Sequence, residues 1–204
     1  MNRAGIPIVV SAPSGAGKST LCSMLIKEFP NIRYSVSCAT RRPRAGEIDG
    51  EDYIFLTREE FEKRIANNEF AEYAEVHGNF YGTPLAPALE NLSAGRDVLF
   101  DIDVKGAASI RKVLPQTRFA FILPPNIREL ERRLRNRGLD CENDIKKRLR
   151  NAIGEMAECI WYDAIIVNDD LDAAFESFKN FYLCATLAPA CRMKFINALL
   201  REVN

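Results

Sequence analysis

A glycine-rich stretch near the amino terminus carries the residue types that bind phosphate. It reads SAPSGAGKST and spans residues 11–20. In such loops successive backbone N–H groups converge on phosphate oxygens, a lysine reaches the outer phosphates, and the next hydroxyl ligates magnesium. Gly15 and Gly17 would allow close backbone approach, Lys18 would be the charged arm and Ser19 the magnesium ligand. The alternative is a glycine-rich turn that binds nothing.

The loop departs from the usual spelling at its first position, where Ala12 followed by Pro13 replaces a glycine. The residue before a proline is restricted to extended conformations with negative φ, so position 12 does not need the freedom of glycine. We therefore interpret the loop as a working variant. The predicted nucleotide contacts are its residues Ala12, Pro13, Ser14, Gly15, Ala16, Gly17, Lys18, Ser19 and Thr20.

Other candidate phosphate and metal groups follow along the chain. Asp101 and Asp103 end an apolar run, where the magnesium-associated carboxylate of phosphate-loop enzymes belongs, although strand-end acids also cap following helices. Arg41, Arg42 and Arg44 fall within four residues in a turn. Because the guanidinium fork matches phosphate oxygens, this cluster predicts a second phosphate site; the alternative is a solvated basic loop.

Alternating strands and helices are predicted to position these groups. Continuous apolar runs indicate buried strands at 6–11, 97–103, 118–124 and 163–169. Helical patterns follow: about ten residues ending before Pro30, then roughly 104–114, 126–137, 143–160, 170–184 and 189–202. This order predicts an α/β fold with a parallel-sheet core and helices on both faces.

The stretch from about 34 to 90 breaks the alternation. Short strands are predicted at 34–38, 52–56 and 69–76, the last with Phe70, Glu72, Ala74 and Val76 on one face. Thr57 with Glu60 forms a capping-box pattern that opens a helix to about 67. Thr83 and Pro84 predict a second helix start, with the proline at the first helical position. We expect a mostly antiparallel insert over the carboxyl ends of the core strands, where such sheets bind substrate.

Composition excludes several classes of protein. Formal net charge is zero, so no global field attracts nucleic acid or an anionic membrane. The amino terminus lacks a long apolar segment, and no run of about 18 apolar residues occurs, which predicts a cytoplasmic protein. Six scattered cysteines form no C-x-x-C pair and are expected to be thiols. His77 is the one histidine and is predicted to be a turn residue, which disfavours a histidine-based triad or zinc site.

Together the motifs resemble the guanylate kinase family over nearly the whole chain. The segments that carry the resemblance are SAPSGAGKST, SVS..TR.PR.GE.DG.DY, NEFAEYAEVHGNFYGT, DIDVKGA, RRLRNRG and IVND. It implies a phosphate-loop NTPase fold in a single domain, residues 1–204. The core would be about 1–33, 91–125 and 151–204, with a GMP-binding insert at about 34–90 and a helical lid at about 126–150. The implied reaction is transfer of the ATP γ-phosphoryl group to GMP, and by extension dGMP, with Mg²⁺.

The resemblance also implies residue roles. The GMP phosphate would be held by Arg41, Arg44, Tyr53 and Tyr81. The guanine would be read by Ser37, Glu72, Thr83 and Asp103, with Asp101 near the phosphates and bound to Mg²⁺ through water. The ATP side would include Arg133, Arg137 and Arg148 of the lid, and Asn168 and Asp169. The groups acting on the transferring phosphoryl would be Lys18, Arg44, Arg137 and Arg148.

Other interpretations stay open at this point. Glu72 could be an exposed strand acid, and Arg133 could form an ion pair with Glu129 four residues earlier. The chain could also be a non-catalytic guanylate-kinase-like interaction module, or a phosphate-loop kinase with another acceptor. Such modules typically lose phosphate-loop or lid residues, whereas Lys18 and Arg148 are present here. A GTPase is disfavoured because no N-K-x-D motif occurs.

Overall fold

The computed structural model describes residues 3–76, 78–136 and 142–202. Its strands are Pro7–Ser11 (β1), Ile32–Tyr34 (β2), Cys38–Ala39 (β3), Ile54–Phe55 (β4), Phe70–Val76 (β5), Asn79–Pro84 (β6), Asp97–Asp101 (β7), Arg118–Leu123 (β8) and Ala164–Val167 (β9). Its helices are Lys18–Glu28 (α1), Arg58–Ala66 (α2), Leu85–Ser93 (α3), Val104–Val113 (α4), Ile127–Asn136 (α5), Glu142–Ala157 (α6), Leu171–Thr186 (α7) and Pro189–Arg201 (α8). A 3₁₀ turn, Glu158–Trp161, follows α6.

The core is a parallel sheet in the order β2-β7-β1-β8-β9 across the described residues. All of β1 is buried, because helices cover both faces of the sheet. Ile8 and Val10 pack with α1 and α7 on one face, and Val9 packs with α3 and α4 on the other. Each such side chain stabilises the fold by roughly 1.5–3 kcal/mol through burial. The predicted parallel sheet with helices on both faces is confirmed.

A second, smaller sheet has the order β4-β3-β6-β5. β5 and β6 are antiparallel, as are β3 and β6, whereas β3 and β4 are parallel. The mostly antiparallel insert predicted between the first two long core strands is therefore present. It is separate from the core sheet, so its residues approach the core only through the loops and faces that adjoin it.

The predicted single strand at 34–38 is wrong. The structure has two strands there, β2 in the core sheet and β3 in the small sheet. Ser35 is still bonded to the core sheet, since its N–H donates to the Leu99 carbonyl of β7 at 2.9 Å. The chain then crosses between the two sheets, and a change of sheet is invisible to a local apolar pattern.

The face predicted for β5 is correct for three of its four residues. Glu72, Ala74 and Val76 line one cavity, but Phe70 stacks on Phe61 of α2 with ring centroids 4.3 Å apart. A bulge between Phe70 and Glu72 causes the change. One extra residue in a strand alters the alternation on either side of it, so Phe70 points into the core of the insert instead.

Two helix starts were predicted in the insert, and one is as expected. At α2 the Thr57 hydroxyl accepts from the Glu60 N–H at 3.2 Å, and the Glu60 carboxylate accepts from the Thr57 N–H at 2.8 Å. The start at Thr83 is wrong, because Thr83 belongs to β6, Pro84 precedes the helix, and Leu85 is the first helical residue. The Thr83 hydroxyl is instead committed to a neighbouring carboxylate, described below.

The two carboxyl-terminal helices form a long apolar stretch. By length and composition alone, Leu171–Arg201 could cross a membrane. In the structure it is two helices, separated at Leu187 and Ala188. α7 contacts α1, β8 and β9 and buries Phe178 and Tyr182. These contacts make α7 a core helix of the described fold.

A buried ion pair fastens the amino-terminal segment to the far end of the sheet. Arg3 donates to both carboxylate oxygens of Asp97 at 2.6 and 2.5 Å, and the Tyr182 hydroxyl donates to the same carboxylate at 2.7 Å. The Ile6 N–H adds a fourth donor at 2.9 Å. Asp97 is fully buried, so these donors offset its desolvation. The network lies at the amino end of β7, away from the phosphate loop.

Candidate active site

The phosphate loop connects β1 to α1 in the arrangement that the sequence predicts. Gly15 and Gly17 both have φ of +94°, a conformation that L side chains rarely adopt. Gly17 is the N-cap of α1 and supplies no side chain, so the first N–H groups of the helix remain available to an anion. Ala12 has no positive φ, since Asn68 is the one non-glycine residue with positive φ in the described part of the chain. The prediction that position 12 needs no left-handed geometry is confirmed.

A cavity of about 500 Å³ opens over this loop. The loop residues that line it are Ala12, Pro13, Ser14, Gly15, Gly17, Lys18, Ser19 and Thr20. Ala16 does not line it, because its side chain is buried in the core. Ser19 and Thr20 present exposed side chains at the start of α1. Of the predicted loop contacts, all but the Ala16 side chain are brought together.

Asn168 braces the loop from below. Its side-chain N–H donates to the Ala16 carbonyl at 2.7 Å, and its own N–H donates to the Leu123 carbonyl at 2.8 Å. A Cβ added at Gly17 would lie 2.2 Å from the Asn168 Nδ2, so no larger residue fits there without displacing the brace. Asn168 is buried, whereas the neighbouring Asp169 is exposed. Of the two residues predicted on the adenine side, Asn168 is buried and supports the loop, whereas Asp169 lies at the surface.

Lys18 forms an ion pair with Asp101 at the end of β7. Its ammonium also lies 3.5 Å from the Ile102 carbonyl, which accepts a second hydrogen bond from the Ser11 hydroxyl at 2.8 Å. Parallel strands β1 and β7 are adjacent, which brings the loop lysine and the strand-end acid together. Asp101, which was predicted to lie near the metal, therefore holds the Lys18 ammonium at the edge of the loop cavity.

Asp103 caps the next helix. Its carboxylate accepts from the Gly106 N–H at 2.8 Å, which is the alternative that its position in the sequence allowed. The side chain is exposed and also lines a second cavity of about 310 Å³. The cap fixes the carboxylate at that cavity's edge, so capping and ligand contact are compatible.

Glu72 dominates the second cavity. Its carboxylate accepts a hydrogen bond from the Thr83 hydroxyl at 2.5 Å. Burial raises the pKa of Glu72 and Asp103 raises it further, while the Thr83 hydrogen bond acts in the opposite direction. A Cβ at Gly106 would lie 3.2 Å from the carboxylate, so the start of α4 also packs on it. The interpretation of Glu72 as an exposed strand acid is wrong.

Most of the predicted acceptor-side residues line the same cavity as Glu72, whereas Arg41 and Arg44 do not. Those that line it are Ser37, Tyr53, Glu72, Tyr81, Asp101 and Asp103. The rings of Tyr53 and Tyr81 meet edge to face with centroids 6.1 Å apart. Thr83 is fully buried behind Glu72 and reaches the cavity through that carboxylate. The pairing of β5 with β6 thus brings Glu72 and Thr83 together, although they are eleven positions apart in the sequence.

Arg41 is oriented by a partner that the sequence analysis did not assign. Its guanidinium donates to both carboxylate oxygens of Glu47, at 2.6 and 2.7 Å, and lies 4.8 Å from the Tyr53 ring centroid. The pair lowers the pKa of Glu47 to about 2, chiefly through the Arg41 hydrogen bond. Arg44 is exposed, and its N–H donates to Glu47. Glu47 therefore holds the turn that contains Arg41 and Arg44. The sequence signal for this partner was an acid six residues after Arg41.

A third cavity of about 410 Å³, called here the joining cavity, shares lining residues with the other two. Its lining includes Ser19 of the phosphate loop and Glu47 of the arginine turn. Tyr53 and Asp101 line all three cavities. These two residues mark where a group bound at the loop would meet a group bound beside Glu72.

The predicted lid packs directly on the loop. A Cβ at Gly15 would lie 3.1 Å from Leu134 and 3.2 Å from Leu130, both of α5. Arg133 forms the ion pair with Glu129 at 2.7 Å that the four-residue spacing allowed, and it also donates to the Asn168 carbonyl at 3.0 Å. Arg133 therefore links α5 to the loop's brace.

The other predicted lid arginines are less fully placed. Arg148 is half-buried on α6 and has interaction partners. Arg137 and Gly138, the predicted hinge, lie outside the described residues, as does His77.

Five cysteines, at 22, 38, 159, 184 and 191, are free thiols as expected, and Cys141 lies outside the described residues.

Besides Glu47, two more residues at the site were not predicted from the sequence. Glu155 of α6 lines the loop cavity, and burial raises its pKa. Tyr34 ends β2 and lines both the loop cavity and the joining cavity. Burial raises the pKa of Tyr34, and the charge of Asp101 adds to the effect. Neither lies in a motif, and only the packing of α6 and β2 beside the loop reveals them.

The fold and the site define a class of protein. A parallel sheet, a phosphate loop leading into α1, and a second cavity that shares lining residues with the loop cavity are the parts of a phosphate-loop nucleotide phosphotransferase. Comparison with known proteins specifies the class further. The family model for guanylate kinase matches residues 4–183, and the chain belongs to the guanylate kinase family.

Individual relatives cover nearly the full chain. A curated guanylate kinase of Oleidesulfovibrio alaskensis is 52% identical over 200 residues, covering 98% of this chain and 97% of its own. Guanylate kinase of Nitratidesulfovibrio vulgaris is also 52% identical, covering 99% and 98%. The crystal structure of guanylate kinase from Anaplasma phagocytophilum matches with a TM-score of 0.75 at 33% identity, covering 93% of this chain and 90% of its own. The resemblance inferred from the motifs is confirmed.

Proposed function

We propose that this enzyme transfers the γ-phosphoryl group of ATP to GMP, giving ADP and GDP, with the two nucleotides bound in the cavities that meet at Tyr53 and Asp101. The observation that carries the assignment of the acceptor is the half-buried Glu72 carboxylate, held by Thr83 in the second cavity. Guanine presents N1–H and N2–H₂ as adjacent donors, and a carboxylate is an acceptor only. Adenine lacks a proton at N1 and would leave the carboxylate oxygen that Thr83 does not bind without a donor.

The remaining guanine contacts follow from the lining of the same cavity. Ser37 and Asp103 border it, and Thr83 orients Glu72. The GMP phosphate would be bound by Arg41, Arg44, Tyr53 and Tyr81. Glu47 supports this role because it fixes Arg41 over Tyr53 while the guanidinium keeps donors for a phosphate. Arg44 is exposed and is expected to reach the phosphate when GMP is present.

The donor nucleotide would place its phosphates over the loop. Gly15, Gly17, Lys18 and Ser19 of the loop line the cavity, and the start of α1 adds its positive dipole end. Lys18 would leave Asp101 for the phosphate oxygens. Arg133, Arg137 and Arg148 of the lid would stabilise charge on the transferring group, with Asn168 and Asp169 on the adenine side. Transfer would then depend on positioning and charge stabilisation more than on acid–base chemistry.

Mg²⁺ fits the oxygen donors at the start of α1 and the end of β7. The Ser19 hydroxyl and the Asp101 carboxylate line two cavities together, and oxygen ligands suit this ion. Among the described residues no group of three or more His, Cys, Asp or Glu could hold a metal. We therefore expect the ion to enter with the nucleotide, with Ser19 as ligand and Asp101 acting through water. When bound it neutralises phosphate charge.

The domain assignment and the cellular setting are proposals as well. Residues 34–90 would be the GMP-binding insert and 126–150 the lid, on a core of 1–33, 91–125 and 151–204. The partners would be ATP with GMP or dGMP, without nucleic acid or membrane, in the cytoplasm.

Product analysis tests the reaction itself. Incubation with γ-³²P-ATP and GMP should give labelled GDP, and Lys18→Ala should abolish the product. Unlabelled GDP, or none, would refute the proposal.

A further inference from the structure

Tyr34 occupies a junction that no motif marks. It is the last residue of β2, after which the chain leaves the core sheet for the insert. β2 pairs in parallel with β7, with Tyr34 opposite Leu99, and Asp101 lies two residues further along β7. Side chains two residues apart on a strand share a face. Tyr34 and Asp101 therefore lie on the same face at the carboxyl edge of the sheet.

The side chains of Tyr34 and Asp101 interact. Both line the loop cavity and the joining cavity, and the charge of the Asp101 carboxylate helps to raise the pKa of the Tyr34 phenol. The same carboxylate carries the ion pair with Lys18. Asp101 thus has one charged partner from the phosphate loop and one neutral partner from β2.

The two partners differ in what happens when a nucleotide enters. Phosphate oxygens compete for the ammonium of Lys18, so the ion pair weakens at the moment when Asp101 must be correctly placed. A phenol is neutral and is attracted much less to phosphate, so a hydrogen bond that Tyr34 donates to Asp101 would not be lost to the nucleotide. We propose that Tyr34 is a positioning residue for phosphoryl transfer, whose hydroxyl holds the Asp101 carboxylate in place when Lys18 turns to the nucleotide. This inference rests on the proposed function, because it concerns the use of Asp101 in that reaction.

The direct test is Tyr34→Phe, which removes the hydroxyl and keeps the ring. Tyr34 is 42% exposed, so the change leaves no cavity in the core. We expect kcat to fall about tenfold, the scale of a hydrogen bond to a charged group, with KM for GMP within about twofold. Tyr73→Phe is the matched control, since Tyr73 is 51% exposed and lines none of the three cavities. It should match wild type in both constants.

A second measurement does not depend on turnover. Calorimetry with a non-hydrolysable ATP analogue should show that Tyr34→Phe weakens binding of the Mg²⁺ complex about fivefold. Binding of the metal-free analogue and of GMP should be unchanged. Equal weakening with and without Mg²⁺, or no weakening at all, would overturn the proposal.

A double-mutant cycle isolates the pair. In the Asp101→Ala background, Tyr34→Phe should change kcat and Mg²⁺-dependent binding by less than about 1.5-fold, because the acceptor is already gone. The same tenfold loss in both backgrounds would show that Tyr34 acts without Asp101 and would overturn the proposal. Failure of the proposed function is a different result: wild-type protein would then not phosphorylate GMP, whatever stands at position 34.

Discussion

The carboxylate of Glu72 and the hydroxyl of Thr83 are joined by a hydrogen bond of 2.5 Å across the pair of strands β5 and β6. Glu72 lines a cavity that Asp101 and Asp103 also line. A half-buried carboxylate with one fixed donor has capacity left for a ligand's donors. The acceptor specificity of the enzyme should therefore depend on the charge and orientation of Glu72.

Glu72→Gln should impair GMP use selectively. The amide can still accept from Thr83, but it turns an N–H₂ group towards the donors of guanine. We expect kcat/KM for GMP to fall at least about 100-fold, with KM for ATP within about twofold. Steady-state kinetics with each substrate varied would measure this. Glu75→Gln, an exposed acid on the same strand, is the control and should resemble wild type. A change for GMP within about twofold would contradict the assignment.

Thr83→Val should shift the acid side of the pH profile of kcat/KM for GMP to higher pH. Burial raises the pKa of Glu72, and the Thr83 hydroxyl partly opposes that rise. Loss of the hydroxyl raises the pKa further, so the carboxylate becomes protonated at a higher pH as the solution is acidified. The profile of kcat/KM for GMP between about pH 5 and 9 should shift upward on its acid side. A limb that stays in place, or moves to lower pH, would refute this electrostatic account.

Two substitutions in the phosphate loop should have opposite outcomes. Ala12→Gly should leave kcat/KM for ATP within about twofold, because residue 12 has no positive φ. Gly17→Ala should lower it at least about 100-fold, because its Cβ would collide with Asn168 and its φ of +94° disfavours a side chain. Kinetics with ATP varied at saturating GMP would decide. A several-fold gain for Ala12→Gly would show that the methyl group obstructs the site.

Tyr182→Phe should reduce stability without affecting catalysis. The Tyr182 hydroxyl donates to the fully buried Asp97 carboxylate, which also binds Arg3. Its loss should lower the free energy of unfolding by about 1–3 kcal/mol, measured by urea denaturation. kcat at 25 °C should stay within about twofold, since the network is at the amino end of β7. Unchanged stability would show that Arg3 and the Ile6 N–H suffice for the carboxylate.

The parts of the molecule that the sequence predicts are those with local causes. Buried strands such as β1 follow from continuous apolar runs, the start of α2 from the Thr57 capping box, and the loop geometry from Gly15 and Gly17. The position of Ala12 before a proline was also sufficient to predict its backbone. Each of these depends on residues within a few positions of one another.

The parts that the sequence does not predict depend on distant pairings. Arg3 and Asp97 are 94 positions apart, and nothing near either residue indicates the other. The bulge that turns Phe70 away from Glu72 depends on the register of β5 against β6. Thr83 has a side chain suited to a helix cap, but strand pairing places it against Glu72 instead. The motifs therefore identify the site residues, and the tertiary pairings determine how they are oriented.

The most direct test is acceptor selectivity of the wild-type enzyme. A coupled ADP-release assay with ATP and Mg²⁺ would compare GMP, AMP, CMP and UMP. Because adenine would leave one oxygen of the Glu72 carboxylate without a donor, kcat/KM for GMP should exceed that for AMP by on the order of 10⁴. No turnover with GMP, or comparable values for GMP and AMP, would contradict the account.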